Sequence, residues 1–154
     1  MSPARLFALT LVALVVVAAG CGSGPKNVTK AQYQAQLTKS GQAVTIAGQQ
    51  LGKVITIAEF NGAVTDLQKA LRDGEKNLKG LQPPAKARAA NKRLAQAFGD
   101  LADALEAVKE ARRVSIVKAR QALGELGKTD AIKEGRAAIA ELDRLGYSAS
   151  GAAP

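Results

Sequence analysis

The residue types that most often carry enzyme chemistry are scarce in this sequence. The chain contains a single cysteine, Cys21, and no histidine. Zinc and other transition-metal sites need clustered His or Cys ligands, so we predict no metal site of this kind. Nucleophilic catalysis by a Cys/His or Ser/His/Asp arrangement is excluded for the same reason, and no Ser/Lys pair has a characteristic spacing. No glycine-rich segment leads into Gly-Lys-Ser/Thr, so the sequence predicts neither a phosphate-binding loop nor catalytic residues.

One group of acidic residues has a spacing that an acid/base site could use. Four carboxylates recur at intervals of three or four residues: Asp100, Asp103, Glu106 and Glu110. At this spacing they share one face of a helix. We favour a solvated stripe on the side of the helix opposite the apolar Leu101 and Leu105. Lys109, Arg112 and Arg113 are close enough in sequence to pair with part of this stripe.

The rest of the chain has the composition of a helical protein. Ala, Leu, Gln and Lys are frequent, aromatic residues make up 3% of the chain and Trp is absent, which favours helices over β-rich folds. Apolar residues recur at spacings of three, four and seven, which place them along one stripe of each helix. We predict an all-α domain, an antiparallel up-and-down bundle of four helices at residues 29–58, 61–80, 84–126 and 130–146.

Local signals set the predicted ends of these helices. Thr29-Lys30-Ala31-Gln32 fits a capping box at the start of the first helix. Asn61-Gly62 is a turn signal before the second helix. At the end of this helix, Lys76 and Lys79 suit the negative pole of the helix dipole, and Gly80 can cap the helix. Pro83-Pro84 ends the second helix and starts the third, because proline fits only the first turn of a helix.

Some alternatives stay open at this point. If Asn61-Gly62 does not break the chain, residues 30–80 form one long helix. The β-branched runs Val44–Ile46 and Val54–Ile57 also suit a hairpin, although a lone hairpin is marginally stable. Arg112 interrupts the apolar stripe of the third helix, so we expect a bend or a change of face between Arg112 and Ser115.

The first twenty residues have the three parts of a secretory signal. A positive start, Met1–Arg5, precedes an apolar stretch, Leu6–Val17, and small residues follow. The uncharged stretch from residue 6 to residue 20 would span about 22 Å as a helix. This length is short for the roughly 30 Å hydrocarbon core of a bilayer. We therefore predict a cleaved leader at residues 1–20.

The end of this leader, Ala18-Ala19-Gly20-Cys21, resembles the lipobox of bacterial lipoproteins. The resemblance covers residues 1–21, and Ala18 departs from the more usual Leu. It implies cleavage between Gly20 and Cys21 and a diacylglyceryl group on the Cys21 sulfur, with or without a further N-acyl group. It also implies a lipid-anchored protein on the extracytoplasmic face of the cell membrane, or on the outer membrane where the host has two. The alternatives are a plain signal peptide or an uncleaved anchor with a free cysteine.

The mature chain divides into three parts. Residues 21–28 hold the cysteine and a Gly/Ser/Pro-rich stretch, which predicts a flexible tether. Residues 29–146 form the helical domain, and residues 147–154 read as a disordered tail. We predict no cofactor other than the covalent lipid.

The middle of the chain is similar to a class of small helical-bundle lipoproteins from high-GC bacteria. Many of these carry a Leu-x-Pro-Pro turn, here Leu81-Gln82-Pro83-Pro84, followed by a helix with repeated Leu and Ala. In this sequence the repeated residues are Leu94, Ala97, Leu101, Ala104 and Leu105. The similarity covers residues 60–110, and because most of the class has no assigned activity, it implies only a fold and a location.

Positive charge is the other informative feature. Removing Arg5 with the leader leaves 21 Lys and Arg against 13 Asp and Glu, a net charge of +8. One concentration comprises Lys86, Arg88, Lys92 and Arg93, and a second comprises Lys109, Arg112, Arg113, Lys118 and Arg120. Nucleic acid is not an expected partner of an exported protein with few aromatic residues for stacking. Anionic lipid, wall polymers or an envelope protein are the expected partners, unless these side chains only keep the helices soluble.

The sequence thus predicts a membrane-anchored envelope lipoprotein with a non-catalytic interaction or structural helical module, and not an enzyme. The alternative is a carrier or sensor that binds a small apolar ligand between the helices. This alternative rests on the glycines and alanines along the helix contacts, which would leave space there. A sizeable apolar pocket would support it, whereas a tightly filled core would contradict it.

Overall fold

The computed structural model describes residues 26–54 and 56–148, and these are almost entirely helical. The five helices, numbered in chain order, are α1 (Lys30–Gly52), α2 (Ile57–Lys79), α3 (Arg88–Val114), α4 (Ile116–Leu126) and α5 (Asp130–Arg144). Two strands of two residues each, β1 (Lys26–Asn27) and β2 (Leu81–Gln82), pair in parallel. A single turn of 3₁₀-helix, Ala85–Ala87, follows the two prolines. The all-α class is confirmed, but the predicted count of four helices is wrong.

The connection between α1 and α2 lies earlier than predicted. α1 ends at Gly52 and α2 begins at Ile57, so Asn61-Gly62 lies inside α2. The cause is a second capping box, in which the Thr56 hydroxyl accepts from the Glu59 N–H at 3.2 Å and the Glu59 carboxylate accepts from the Thr56 N–H at 2.9 Å. The hairpin alternative is also wrong, because Val44–Ile46 lies within α1.

The predicted third helix, 84–126, is two helices. Ser115 adopts an extended backbone with φ −165° and ψ 158°, and its hydroxyl accepts from the Lys118 N–H at 3.1 Å. A serine that caps the next helix satisfies a free backbone donor and competes with continuation of the previous helix. The break is at Ser115, which is the end of the predicted interval from Arg112 to Ser115 where the apolar stripe is interrupted. α3 itself begins at Arg88, after the 3₁₀ turn, and not at residue 84.

α3 is the central helix, because it packs against α2, α4 and α5, whereas α1 packs mainly against α2. Contacts between residues show that α2 and α5 each run in the direction opposite to α3. Phe60, early in α2, lies near Arg112, late in α3, and Leu78, late in α2, lies near Asn91, early in α3. In the same way, Arg93 of α3 pairs with Glu141 near the end of α5.

Two glycines show how differently the helix contacts are packed. A Cβ atom added at Gly74 of α2 would lie 2.7 Å from the Phe98 ring of α3, so these two helices approach closely. A Cβ atom added at Gly48 of α1 would meet nothing within 4 Å. α1 makes few contacts with α4 or α5. We call the first contact the α2–α3 seam and the second, more open one the α1–α4/α5 seam.

None of the helices among the described residues is long and apolar enough to span a bilayer.

Candidate functional site

The short strand pair fixes where the N-terminal segment meets the domain. Lys26 is aligned with Leu81 and Asn27 with Gln82, and the Val28 N–H donates to the Gln82 carbonyl at 3.3 Å. β2 connects α2 to α3, so residue 26 lies at the end of the molecule where α2 ends and α3 begins. The predicted tether, 21–28, therefore includes residues that pair with the domain.

Exposed basic side chains surround this end. Two lie in the last turn of α2, one in the 3₁₀ turn and two in the first turns of α3: Lys76, Lys79, Lys86, Arg88 and Lys92. We call this group the basic end. It contains three of the four residues of the first predicted basic concentration, together with Lys76 and Lys79, which were predicted only to suit the end of the second helix.

Few acids neutralise the basic end. Glu75 accepts from Lys79 at 2.6 Å and from Arg72 at 3.1 Å. Arg93, the fourth residue of the first concentration, is half-buried and paired with Glu141. Lys76, Lys86 and Lys92 make no ion pair with any residue of the described ranges. The basic end thus keeps an excess of positive charge.

The second basic concentration lies at the opposite end of α3. Lys109, Arg112 and Arg113 line a pocket of about 360 Å³ with Phe60 and other residues of α2. Arg113 pairs with Glu110 at 3.1 Å and Lys109 with Glu106 at 3.3 Å, whereas the Nε atom of Arg112 is buried without a hydrogen-bond partner. Lys118 and Arg120 are exposed on α4. The structure therefore does not bring the two predicted concentrations together.

The four carboxylates of α3 lie on its exposed surface. Asp100, Asp103, Glu106 and Glu110 are all exposed, as a solvated stripe requires. Asp103 pairs with Arg72 of α2, and the Gln68 amide donates to Glu106 at 2.6 Å. The hydrogen bond from Gln68, followed by that from Lys109, lowers the pKa of Glu106. A general acid would need a raised pKa, so the environment acts in the opposite direction.

A buried polar cluster fastens the start of α1 to α3. The Tyr33 hydroxyl donates to Asn91 Oδ1 at 3.1 Å, and Asn91 Nδ2 donates to the Leu78 carbonyl at 3.0 Å. The Tyr147 ring packs edge-on against Tyr33 with centroids 5.2 Å apart. Burial and the nearby Tyr147 raise the pKa of Tyr33.

This cluster is not among the sites predicted from the sequence. Asn91 is a polar residue in an otherwise apolar stripe of α3, and this is the only signal in the sequence that could have indicated the cluster. Tyr147 was assigned to the tail, yet it is buried, whereas residues 149–154 of that tail lie outside the described ranges.

An apolar cavity of about 380 Å³ lies in the α1–α4/α5 seam. Residues from all five helices line it: Val44, Thr45, Gly48, Gln49, Leu67, Leu71, Leu101, Leu126 and Ile132. None of these side chains is charged. Leu67, Leu126 and Ile132 are only partly buried, so the cavity has access to solvent.

Gly20 and Cys21, the predicted cleavage and lipidation residues, lie outside the described residues. Within residues 26–54 and 56–148, no group of three or more His, Cys, Asp or Glu side chains is arranged to hold a metal ion.

Comparison with known proteins identifies no relative of this chain. No protein-family model matches the chain, and neither the curated proteins nor the solved structures contain a significant match.

Proposed function

We propose that the protein is a lipid-anchored envelope lipoprotein whose helical domain is a non-catalytic module that rests on an anionic membrane surface through its basic end. The pairing of β1 with β2 carries this proposal, because it holds residue 26 beside the basic end. Cys21 precedes Lys26 by five residues, which span at most about 18 Å when fully extended. Lipid on Cys21 would therefore keep the basic end close to the headgroups.

Electrostatics favours contact at this end over contact at the other. A basic residue near an anionic membrane contributes about 1 kcal/mol, and the effect decays within a Debye length of about 8 Å at physiological salt. Arg113 lies 21 residues after Lys92 in the same helix, a distance of about 32 Å. The second basic group would thus add little to binding when the basic end touches the membrane.

The anchor is tested by metabolic labelling with a radioactive fatty acid. The native chain should incorporate label and fractionate with membranes, whereas Cys21→Ser should do neither. Equal incorporation into the two chains would contradict lipidation at this residue. Mass analysis of the mature N-terminus would test cleavage between Gly20 and Cys21.

The electrostatic contact is tested with residues 22–154, which lack the lipid, after circular dichroism has shown that this fragment is helical. We expect it to co-sediment with phosphatidylglycerol vesicles in 0.05 M NaCl and to dissociate in 0.5 M NaCl. Substituting Lys86, Arg88 and Lys92 with Gln should weaken binding about a hundredfold, since three charges near the surface are lost.

A matched variant carries the same change in charge at the opposite end. Substituting Arg113, Lys118 and Arg120 with Gln should leave vesicle binding nearly unchanged. Equal losses in the two variants, or no binding at either salt concentration, would contradict the proposal. Binding to purified wall polymer without binding to vesicles would assign the basic end to the wall instead.

A carrier or sensor of small apolar molecules is the second candidate function. The observation that favours it is the apolar cavity of about 380 Å³ between the helices, since small-molecule sites are mostly apolar clefts of about 300–1,000 Å³. This function is compatible with the anchor, because the cavity and the basic end use different residues.

A further inference from the structure

The helices pack as two groups that meet mainly between α2 and α3, and the start of α1 also contacts α3 and Tyr147 through Tyr33. α1 packs against α2, and α4 and α5 pack against α3, while the α2–α3 seam joins the groups. On the opposite side, α1 does not close against the turn between α4 and α5. Gly48 of α1 faces this gap without a side chain, and Leu126 and Ile132 flank the turn across from it.

The residues that line the cavity determine which kind of molecule can bind in it. The aliphatic side chains come from every helix of the domain: Val44, Leu67, Leu71, Leu101, Leu126 and Ile132. A charged group would lose its hydration in such surroundings without gaining a partner. The Gln49 side chain is exposed at the edge, where its amide can donate or accept a hydrogen bond. These features suit a largely hydrocarbon molecule with an uncharged polar group at one end.

The size of the cavity suits a small molecule. The cavity has a volume of about 380 Å³ and is open to solvent on one side. It is more than twice as large as the roughly 150 Å³ engineered cavity that accepts benzene.

We propose that this cavity is a binding site for an uncharged, mainly hydrocarbon small molecule whose polar end lies at Gln49. The proposal deepens the second candidate function and does not depend on the anchor. The ligand enters between α1 and the α4–α5 turn and contacts Leu126 and Ile132, which are partly buried without it. Because it binds the folded chain only, it raises the melting temperature.

The test is photolabelling of the full chain in nanodiscs of phosphatidylcholine. The probe is an uncharged alkyl diazirine with a terminal alkyne, and labelled positions are mapped by mass spectrometry. We expect saturable labelling in residues 44–49 and 126–132, and excess decanol should compete with it. Mapping separates labelling in the cavity from labelling by probe dissolved in the bilayer.

Gly48→Phe is the decisive variant, since its ring would occupy the cavity without meeting other atoms near the Cβ position. We expect about tenfold less labelling, because the burial of several methylene groups of the probe is lost. Gly124→Phe is the matched control, as Gly124 is an exposed helical glycine that is also without neighbours within 4 Å. It should label like the native chain.

Further measurements keep the proposal falsifiable if Gly48→Phe does not fold. Leu126→Phe fills the cavity from the opposite wall and should also reduce labelling, with folding checked by circular dichroism. Unchanged labelling in folded Gly48→Phe and folded Leu126→Phe would overturn the proposal. Crosslinking of two copies of the chain through α1 and α4, in place of labelling by the probe, would also overturn it. The triple Gln variant of the basic end should label normally, so failure of membrane contact and failure of ligand binding are distinguishable.

Discussion

The two seams of the molecule use the same residue type in opposite ways. At the α2–α3 seam, Gly74 lets the helix backbone approach the Phe98 ring, which is only 1% exposed. At the α1–α4/α5 seam, Gly48 faces open space. A glycine in a helix therefore marks either close approach or a vacancy, and only the position of the facing helix decides between them. The tight seam joins the two groups of helices, and the open seam leaves the cavity in which we propose that a ligand binds.

Leucine truncation gives the largest expected contrast between the seams. Leu105 of α3 is fully buried, so Leu105→Ala should reduce the free energy of unfolding by about 3–5 kcal/mol. Leu126 is partly buried and lines a space that is already open, so Leu126→Ala should lose only about 1 kcal/mol. Urea unfolding followed by circular dichroism measures both, and equal losses would contradict the difference in packing.

Alanine at the two glycines should change stability in opposite directions. Gly74→Ala places a methyl group against the buried Phe98 ring, and overpacking of this kind loses about 1–3 kcal/mol, partly offset by the better helix propensity of alanine. Gly48→Ala should gain about 0.5–1 kcal/mol, since nothing obstructs the methyl group. Gly124→Ala is the surface control and should gain a similar amount. A stabilising Gly74→Ala would show that the α2–α3 seam is looser than described.

Tyr33→Phe tests the buried polar cluster that joins the start of α1 to α3. It removes the hydroxyl and leaves Asn91 Oδ1 buried without its donor, a loss of about 1–2 kcal/mol at pH 7.

The pH dependence of this variant has a definite sign. The pKa of Tyr33 is raised in the folded chain, so the stability that depends on its neutral form is complete below the unfolded pKa of about 10 and falls as the pH rises above it. The native chain should therefore lose stability above pH 10, and its advantage over Tyr33→Phe should shrink. An advantage that stays constant from pH 7 to pH 11 would show that folding does not raise the pKa of Tyr33.

Glu75→Gln, at the edge of the tight seam, should have the smallest effect. Hydrogen bonding from Lys79 first, and then from Arg72, lowers the pKa of Glu75, but both partners are largely exposed and the loss should be about 0.5 kcal/mol or less. Because the pKa is lowered on folding, the contribution is present above the unfolded pKa of about 4.3 and disappears as the pH falls through the folded value. Unfolding midpoints at pH 7 and pH 3 should differ from those of the native chain only at pH 7.

Local signals in the sequence predict the helices well where one segment decides the outcome. The capping box at Thr29, the stop at Gly80 and the start of the last helix at Asp130 are confirmed. Thr56 with Glu59 and Ser115 are signals of the same kind, but Asn61-Gly62 and a continuous apolar stripe suggested other boundaries. The capping hydrogen bonds outweighed both.

Features that depend on contacts between distant segments of the chain were harder to predict from the sequence. The position of the N-terminal segment beside the basic end depends on the pairing of residue 26 with residue 81, which no local pattern indicates. The cavity is lined from five helices, so its presence depends on how completely α1 closes against α4 and α5. The glycines along the helix contacts predicted space between the helices in general, and the structure shows it at Gly48 but not at Gly74.

The two-residue strand pair also determines how the domain responds to mechanical load. A pull on the chain before Lys26 acts first on the hydrogen bonds between β1 and β2, including that from Val28 to Gln82, and only then on the first turn of α1. Through β2 the load passes to the connection between α2 and α3, the tightly packed pair, and bypasses the cavity. Under the proposed anchor, tension on the N-terminal segment would therefore act on the strand pair and on the closely packed α2 and α3 before it reached α1.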